Sequence, residues 1–316
     1  MIKLNLDKKQ FIIKKNKLKK KLLGNNNDGA LYKIFVYFFL ISVGFVFLYP
    51  ILTMISYSFK DANDIVNPLV NWIPSGFYLG NYEKAITVLD FKNIFFETLY
   101  VTAIPALIQT ASCSLIGYGF ARFKFPGKKV LFLLVIATFI IPPQVTAIPQ
   151  FLMFKSLGIL ESILAYILPA LFGQGIKSAI FILIFFQFFK MMPKVLEEAA
   201  QVDGASSFKI FYKIAIPMAV PAYIISFLFS FVWYWNETYL ATMFLGGKLQ
   251  TLPMKLQQFV ASFQKMFPAT VTAGQSLNEA IEMAGTFLNI LPLLIVYFVA
   301  QKWFVEGIDK VGITGE

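Results

Sequence analysis

The sequence predicts an all-α integral membrane protein, and three observations lead there. Hydrophobic residues make up 58% of the 316 and charged residues only 14%, with 36 phenylalanines among them. Mean hydropathy is +0.68, and a soluble domain so composed would leave too much apolar surface in water. Several uncharged runs reach the ~20 residues that a helix needs to cross a bilayer, where a helix satisfies its own backbone hydrogen bonds. Charge is also segregated: residues 1–33 hold ten lysines against Asp7 and Asp28, within a net charge of +11.

The elements follow in order. Residues 1–33 form a basic arm placed directly before an apolar run. That position makes it an inside-facing topology signal with attraction to anionic membrane lipid, and no nucleic-acid partner is expected. The arm is too long for the n-region of a cleaved signal peptide, and the next run lacks a small-x-small cleavage site, so that run is read as an uncleaved span. Six spans are predicted, at about 34–58, 94–120, 130–154, 166–190, 217–241 and 284–304. Pro142-Pro143 breaks the third near its middle, and Gly173-Gln174-Gly175 with Lys177 interrupts the fourth. In the second span Ala106, Thr110 and Ser114 recur every four residues, a helix-packing pattern. The loop "ARFKFPGKK" carries Arg122, Lys124, Lys128 and Lys129 and no acid, whereas the loop over 60–92 has three lysines against four acids. With the N-terminus inside, both termini and the loop at 193–217 fall in the cytoplasm. The expected location is the cell (plasma) membrane, multi-pass, with one domain at 34–308 and a tail at 309–316.

Composition also excludes chemistry. One cysteine, Cys113, and no histidine rule out an internal disulfide framework and any histidine-based metal or acid–base site. Cys113 lies in an apolar run and reads as a small packing residue. No G-x-x-x-x-G-K-[ST] occurs: Gly127-Lys128 is followed by Lys129, and Gly247-Lys248 by Leu249. With few acids in the spans, no catalytic set can be assembled. The chain is read as a non-enzyme with no cofactor or metal of its own.

A polar island, "EEAAQVDGASSFKIFYKIAIP" at 197–217, interrupts this greasy background. Pro193 suits a first helical position. Val195, Ala199 and Val202 then share a helical face, with Leu196 and Ala200 beside them. Gly204 can stop that helix or turn the chain, and Asp203, Ser206 or Ser207 can cap a second helix. There Phe208, Phe211, Tyr212 and Ala215 are expected on one face, and Pro217 leads into the fifth span. Each helix is too short and too polar to span. An interfacial hairpin among lipid headgroups is one reading. Glu197, Glu198 and Asp203 would then face an anionic leaflet, and a protein groove suits them better.

This stretch resembles the EAA motif of importer permeases of the ATP-binding-cassette superfamily. The matching residues are Glu198, Ala199, Ala200, Gly204 and Ile214-Ala215-Ile216-Pro217, and the triplet Asp203-Gly204-Ala205 is similar to the carbohydrate, maltose-type branch. "GYGFARFKFPGKK", "IPPQVTAIPQF", "WNETYLATMFL" and "QKWFVEGI" follow the family's order. The resemblance implies the six-helix permease fold with cytoplasmic coupling helices. It implies a subunit that moves sugar by alternating access, partnered by a second permease, by a cytoplasmic ATPase dimer that holds ATP and Mg²⁺, and by an extracytoplasmic sugar-binding protein. In that frame Glu197, Glu198, Ala199, Ala200, Asp203, Gly204 and Ala205 form the ATPase-coupling surface. Glu198 meets basic or polar groups, the alanines permit close approach and Gly204 makes the turn. The ending "VGITGE" departs from the family pattern, as do the long arm and the long segment at 242–283. By resemblance that segment could reach a docked binding protein; otherwise it is an external loop.

Polar groups within spans mark substrate-path candidates. Trp233, Asn236 and Glu237 would suit a sugar through stacking and hydrogen bonding, or else form an interfacial aromatic belt. Gln144 and Gln174, beside the breaks, are either cavity residues or polar glue between helices. A proton-coupled secondary transporter using Glu237 is the alternative function, and it leaves the acidic hairpin unexplained.

Overall fold

The structure, a computed structural model, describes residues 29–268 and 278–312, with side chains as far as Trp303. The arm up to residue 28, the stretch 269–277 and the last four residues lie outside the described residues, and with them most of the expectations for the arm and the tail. Among the described residues every regular element is helical.

Helix α1 (Ala30–Ser58) is the first span. Short α2 (Ala62–Val66) and amphipathic α3 (Gly80–Leu89) occupy the connection to α4 (Phe91–Arg122), the second span. Helices α5 (Lys128–Ile140) and α6 (Pro143–Ser156) make the third, bent by 103°. The cause is local: Ile141 and Pro142, each preceding a proline, are extended (ψ 121° and 137°), and Pro143 restarts the helix. The fourth span is also broken, into α7 (Leu164–Leu171) and α8 (Ser178–Met191). Gly173 (φ +67°) and Lys177 (φ +54°) are left-handed in the connection.

The polar island folds as α9 (Lys194–Val202), α10 (Ser207–Ile210), a π-turn over Phe211–Ala215 and α11 (Ile216–Met218). Helix α12 (Val220–Asn236) is the fifth span and α16 (Glu279–Gly312) the sixth. Between them lie α13 (Tyr239–Leu245), α14 (Leu252–Gln257) and α15 (Phe259–Met266). Among the described residues three helices, α1, α4 and α16, are each long and apolar enough to cross a membrane.

Helix α4 is the central post, packing most extensively on α8 and then on α12. Gly117 permits the close approach to α8, since a Cβ there would stand 2.6 Å from Phe185 Cβ and 2.9 Å from the Phe186 nitrogen. Ala106, Thr110 and Ser114 are buried along the same helix, as their spacing predicts, and so is Cys113. Ser114 and Tyr223 of α12 share a hydrogen bond between hydroxyls.

The described part of the segment after the fifth span is helical and packs into the core. Phe244, Leu245, Leu252, Met254, Phe259 and Phe263 are buried in the main core, and the Leu252 N–H donates to Thr98 Oγ1 of α4 at 2.9 Å. The aromatic residues that looked like a loop are core side chains at helical spacing. By contrast α1 packs along α16 yet leaves most of its apolar side chains exposed.

The connection between the first two spans is pinned by polar contacts. Buried Lys60 donates to the carbonyls of Val70 and Asn71 at 2.8 and 3.0 Å. Asp64 accepts from Ser75 Oγ at 2.6 Å and from the Ser75 N–H at 2.8 Å.

Candidate functional site

Two places gather the residues singled out by the sequence: the α9–α11 hairpin and a cavity where the spans break.

The hairpin begins at Pro193, which is the N-cap of α9 and not its first helical residue. Helix α9 ends in a Schellman motif: the Gly204 N–H bonds the Gln201 carbonyl at 3.0 Å, and the Ala205 N–H bonds the Ala200 carbonyl at 2.9 Å. Gly204 takes φ +77°, the left-handed backbone that a residue with a Cβ rarely adopts. Ser206, one of the three candidate caps, accepts the Lys209 N–H at 3.3 Å and starts α10.

No residue of α9 is buried. Val195 is 69% exposed and Val202 89%, and Glu198, Ala199 and Asp203 also face outward, with Ala200 and Ala205 half-buried. The second face is corrected. Phe208 and Tyr212 are exposed, whereas Ile210, Phe211 and Ala215 are buried. The π-turn over Phe211–Ala215 adds a residue to the turn and rotates the register that a regular period assumes.

Glu197 departs from its acidic neighbours by turning inward. Its Oε1 lies 3.0 Å from Arg122 Nε, and the two side chains are only 13% and 7% exposed. The Tyr118 hydroxyl donates to the same carboxylate oxygen at 3.3 Å, and Arg122 also donates to the Met192 carbonyl at 2.7 Å. Tyr118 packs edge-on to Phe189 and against Phe211 at 5.2 and 4.8 Å between ring centroids. The exposed hairpin is thereby fastened to the end of the central helix α4. Spacing alone does not reveal Arg122 and Tyr118 as partners, because they lie 75 and 79 residues from Glu197.

The second site is a cavity of about 460 Å³ between the break in the third span, the α7–α8 connection and the end of α12. It is lined by Gln174 and Glu237 of the predicted path residues, and by Tyr166, Ser178, Gln150 and Tyr234. Glu237 Oε1 accepts the Leu240 N–H at 2.9 Å. Gln144, Trp233 and Asn236 do not line it. Gln144 is exposed at the start of α6. Trp233 packs on Phe181 at 5.1 Å and lies 4.6 Å beneath Lys177 Nζ. Asn236 bonds the Val232 carbonyl of its own helix at 2.9 Å.

One clamp was not anticipated. Buried Gln109 of α4 donates to the Ile176 carbonyl at 2.7 Å and accepts from the Tyr234 hydroxyl at 2.8 Å. A Cβ at Gly175 would collide with both polar ends, so this glycine is required by close approach. Among the described residues no cluster of three or more His, Cys, Asp or Glu could hold a metal.

With this geometry in view, comparison with known proteins is direct. The family model described as "Binding-protein-dependent transport system inner membrane component" matches residues 114–310, a stretch holding both the hairpin and most of the cavity. The osmoprotective compounds uptake permease protein GgtD of Synechocystis is 29% identical over 87% of this chain and 90% of its own length. The polygalacturonan/rhamnogalacturonan transport system permease protein YtcP of Bacillus subtilis is 29% identical over 88% and 96%. The arabinooligosaccharides transport system permease protein AraQ of Halalkalibacterium halodurans is 26% identical over 87% and 96%. A crystal structure of a bacterial ABC transporter that imports the acidic polysaccharide alginate contains a chain of the same fold, with TM-score 0.69 and 21% identity over 89% of this chain and 98% of that one. The matched segment runs through the anchored hairpin, the broken spans and the last helix, and on that basis the chain belongs to the family of binding-protein-dependent transport system inner membrane components.

Proposed function

We propose that this chain is the transmembrane permease subunit of an ATP-driven, binding-protein-dependent carbohydrate importer, and that the α9–α11 hairpin is where ATPase closure enters the membrane. The observation that carries this reading is a helix with no buried residue joined to the central span by a nearly buried ion pair. An outward face needs a partner, and a charged anchor passes that partner's motion to α4. Glu198 and Asp203 meet basic or polar groups of the ATPase, Ala199, Ala200 and Ala205 allow close approach, and Gly204 holds the turn. Glu197 serves the same coupling surface from inside, as the anchor. A charge desolvated at such a surface is costly to leave unpaired.

ATP and Mg²⁺ belong to a separate cytoplasmic ATPase dimer, whose closure drives alternating access. The remaining partners are a second homologous permease, forming a heterodimer, and an extracytoplasmic sugar-binding protein. The lysine-rich loops support a cytoplasmic side for both termini. Carbohydrate as cargo is supported by relatives named for polygalacturonan/rhamnogalacturonan and arabinooligosaccharide transport.

Co-purification and uptake test this together. Glu198→Lys and Gly204→Asp are expected to abolish association with the ATPase and uptake of labelled oligosaccharide. Uptake that survives both changes and collapses with a proton ionophore would replace this reading with proton coupling through Glu237.

A further inference from the structure

The connection between the first two spans folds back along α1. Trp72 packs on Tyr49 at 5.1 Å and on Phe45 at 6.3 Å between ring centroids, and its carbonyl accepts from the Ser56 hydroxyl. Tyr49 stands nine residues before Ser58, the last residue of α1, which is about 14 Å down the helix at 1.5 Å per residue. Residues 34–59 carry no charge, and a helix crosses the hydrocarbon of a bilayer with about 20 residues. Every stretch of about 20 residues within that run contains both Phe45 and Tyr49, so Trp72 lies beside α1 at membrane depth.

Irregular backbone at that depth needs its polar groups satisfied from within the protein. Lys60 Nζ donates to the Val70 and Asn71 carbonyls. Asn67 Oδ1 accepts the Leu69 N–H at 3.0 Å, and the Asn67 and Phe59 carbonyls accept the N–H groups of Val70 and Tyr78 at 3.1 and 3.0 Å. These contacts turn inward and fix the connection. Leu69, Ile73 and Phe77 turn outward, at 89%, 82% and 81% exposure. A protein interface surrounds its apolar centre with a polar rim, whereas residues 65–82 hold no charged side chain at all. Through Trp72 this surface is instead continuous with the exposed apolar face of α1. The connection lies at the Phe91 end of α4, and the hairpin is fastened at the Arg122 end. We propose that residues 66–79 are a lipid-inserted anchor. Leu69, Trp72, Ile73 and Phe77 enter the boundary between headgroups and acyl chains in the leaflet opposite the α9–α11 hairpin, and so fix the level at which α1 meets the bilayer surface. The proposal is independent of the cargo.

The whole transporter in liposomes of phosphatidylcholine and phosphatidylglycerol tests this. Leu69→Cys, Ile73→Cys and Phe77→Cys each supply one accessible thiol, because native Cys113 is buried, in a complex whose other subunits are free of reactive cysteine. A nitrobenzoxadiazole label at each position is expected to emit at the shorter wavelengths of an apolar medium. Doxyl-labelled phosphatidylcholine should quench it, and iodide in the buffer should not. The same label at Asn63→Cys, an exposed position beside Asp61, should respond in the opposite sense, quenched by iodide and insensitive to the doxyl lipid. These responses should hold with and without the extracytoplasmic binding protein. Iodide quenching at 69, 73 and 77 equal to that at 63 would overturn the anchor. Iodide quenching that is relieved on adding the binding protein would also overturn it, and would give the surface to a docked protein.

Discussion

At the scale of single residues, the Arg122–Glu197 pair makes the sharpest demand. Both side chains are nearly buried, and removing one partner of such a pair leaves an uncompensated charge at a cost of about 3–5 kcal/mol. Glu197→Gln and Arg122→Met should each lower the ratio of uptake to ATP hydrolysis. The exchange Arg122→Glu with Glu197→Arg should recover part of that ratio, which a purely steric defect would not allow. Asp64 makes a demand of a different kind. The Ser75 hydroxyl, then the Ser75 N–H, and the nearby Lys60 hold its carboxyl below the ordinary value of 3.8. A carboxyl depressed in the folded state contributes stability above its unfolded pKa and loses it as pH falls through the folded value. The thermal midpoint should therefore drop as pH falls below about 4, and Asp64→Asn should flatten that decline. A decline of equal steepness in Asp64→Asn would contradict the assignment.

At the scale of elements, the hairpin shows what could be read from the chain and what could not. The stop at Gly204 and the cap at Ser206 rest on local backbone chemistry and were legible in a few residues. The face of the second helix was not, because the π-turn at Phe211–Ala215 shifts a register that regular spacing assumes. The break at Pro142-Pro143 was legible for the same local reason as the hairpin turn. The Gln109–Tyr234 clamp was not, since its residues lie 125 positions apart and only folding brings them together. The same limit hid Arg122 as the partner of Glu197. For the turn itself, φ +77° at Gly204 sets a ranking. Asn tolerates left-handed backbone better than β-branched residues, so Gly204→Asn should keep most uptake. Gly204→Val should cost about 1–2 kcal/mol and lose coupling, and equal activity in the two variants would contradict the turn assignment.

At the scale of the whole molecule, the fold divides into a central post and its dependants. Helix α4 touches α8 and α12, carries the anchor at Arg122 and, through Gln109, holds the connection that walls the cavity. A force applied at the hairpin thus meets the cavity through one rigid helix about 48 Å long, 32 residues at 1.5 Å each. Composition made the membrane class legible, because hydrophobic length accumulates over many residues. It gave no access to the packing of the segment after the fifth span, where aromatic residues at helical spacing serve the core instead of an exposed surface. The exposed apolar side chains of α1 suit a span that faces lipid.

The central claim is that motion enters through α9, and site-directed cross-linking tests it most directly. The single native cysteine, Cys113, is buried, so Ala199→Cys supplies one exposed thiol on the hairpin. Paired with a cysteine in the cleft of the ATPase and oxidised, it is expected to form a disulfide whose yield changes on adding ATP and whose formation stops uptake until a reductant is added. Cross-linking to no position on the ATPase, or a cross-linked transporter that imports at the native rate, would contradict the account.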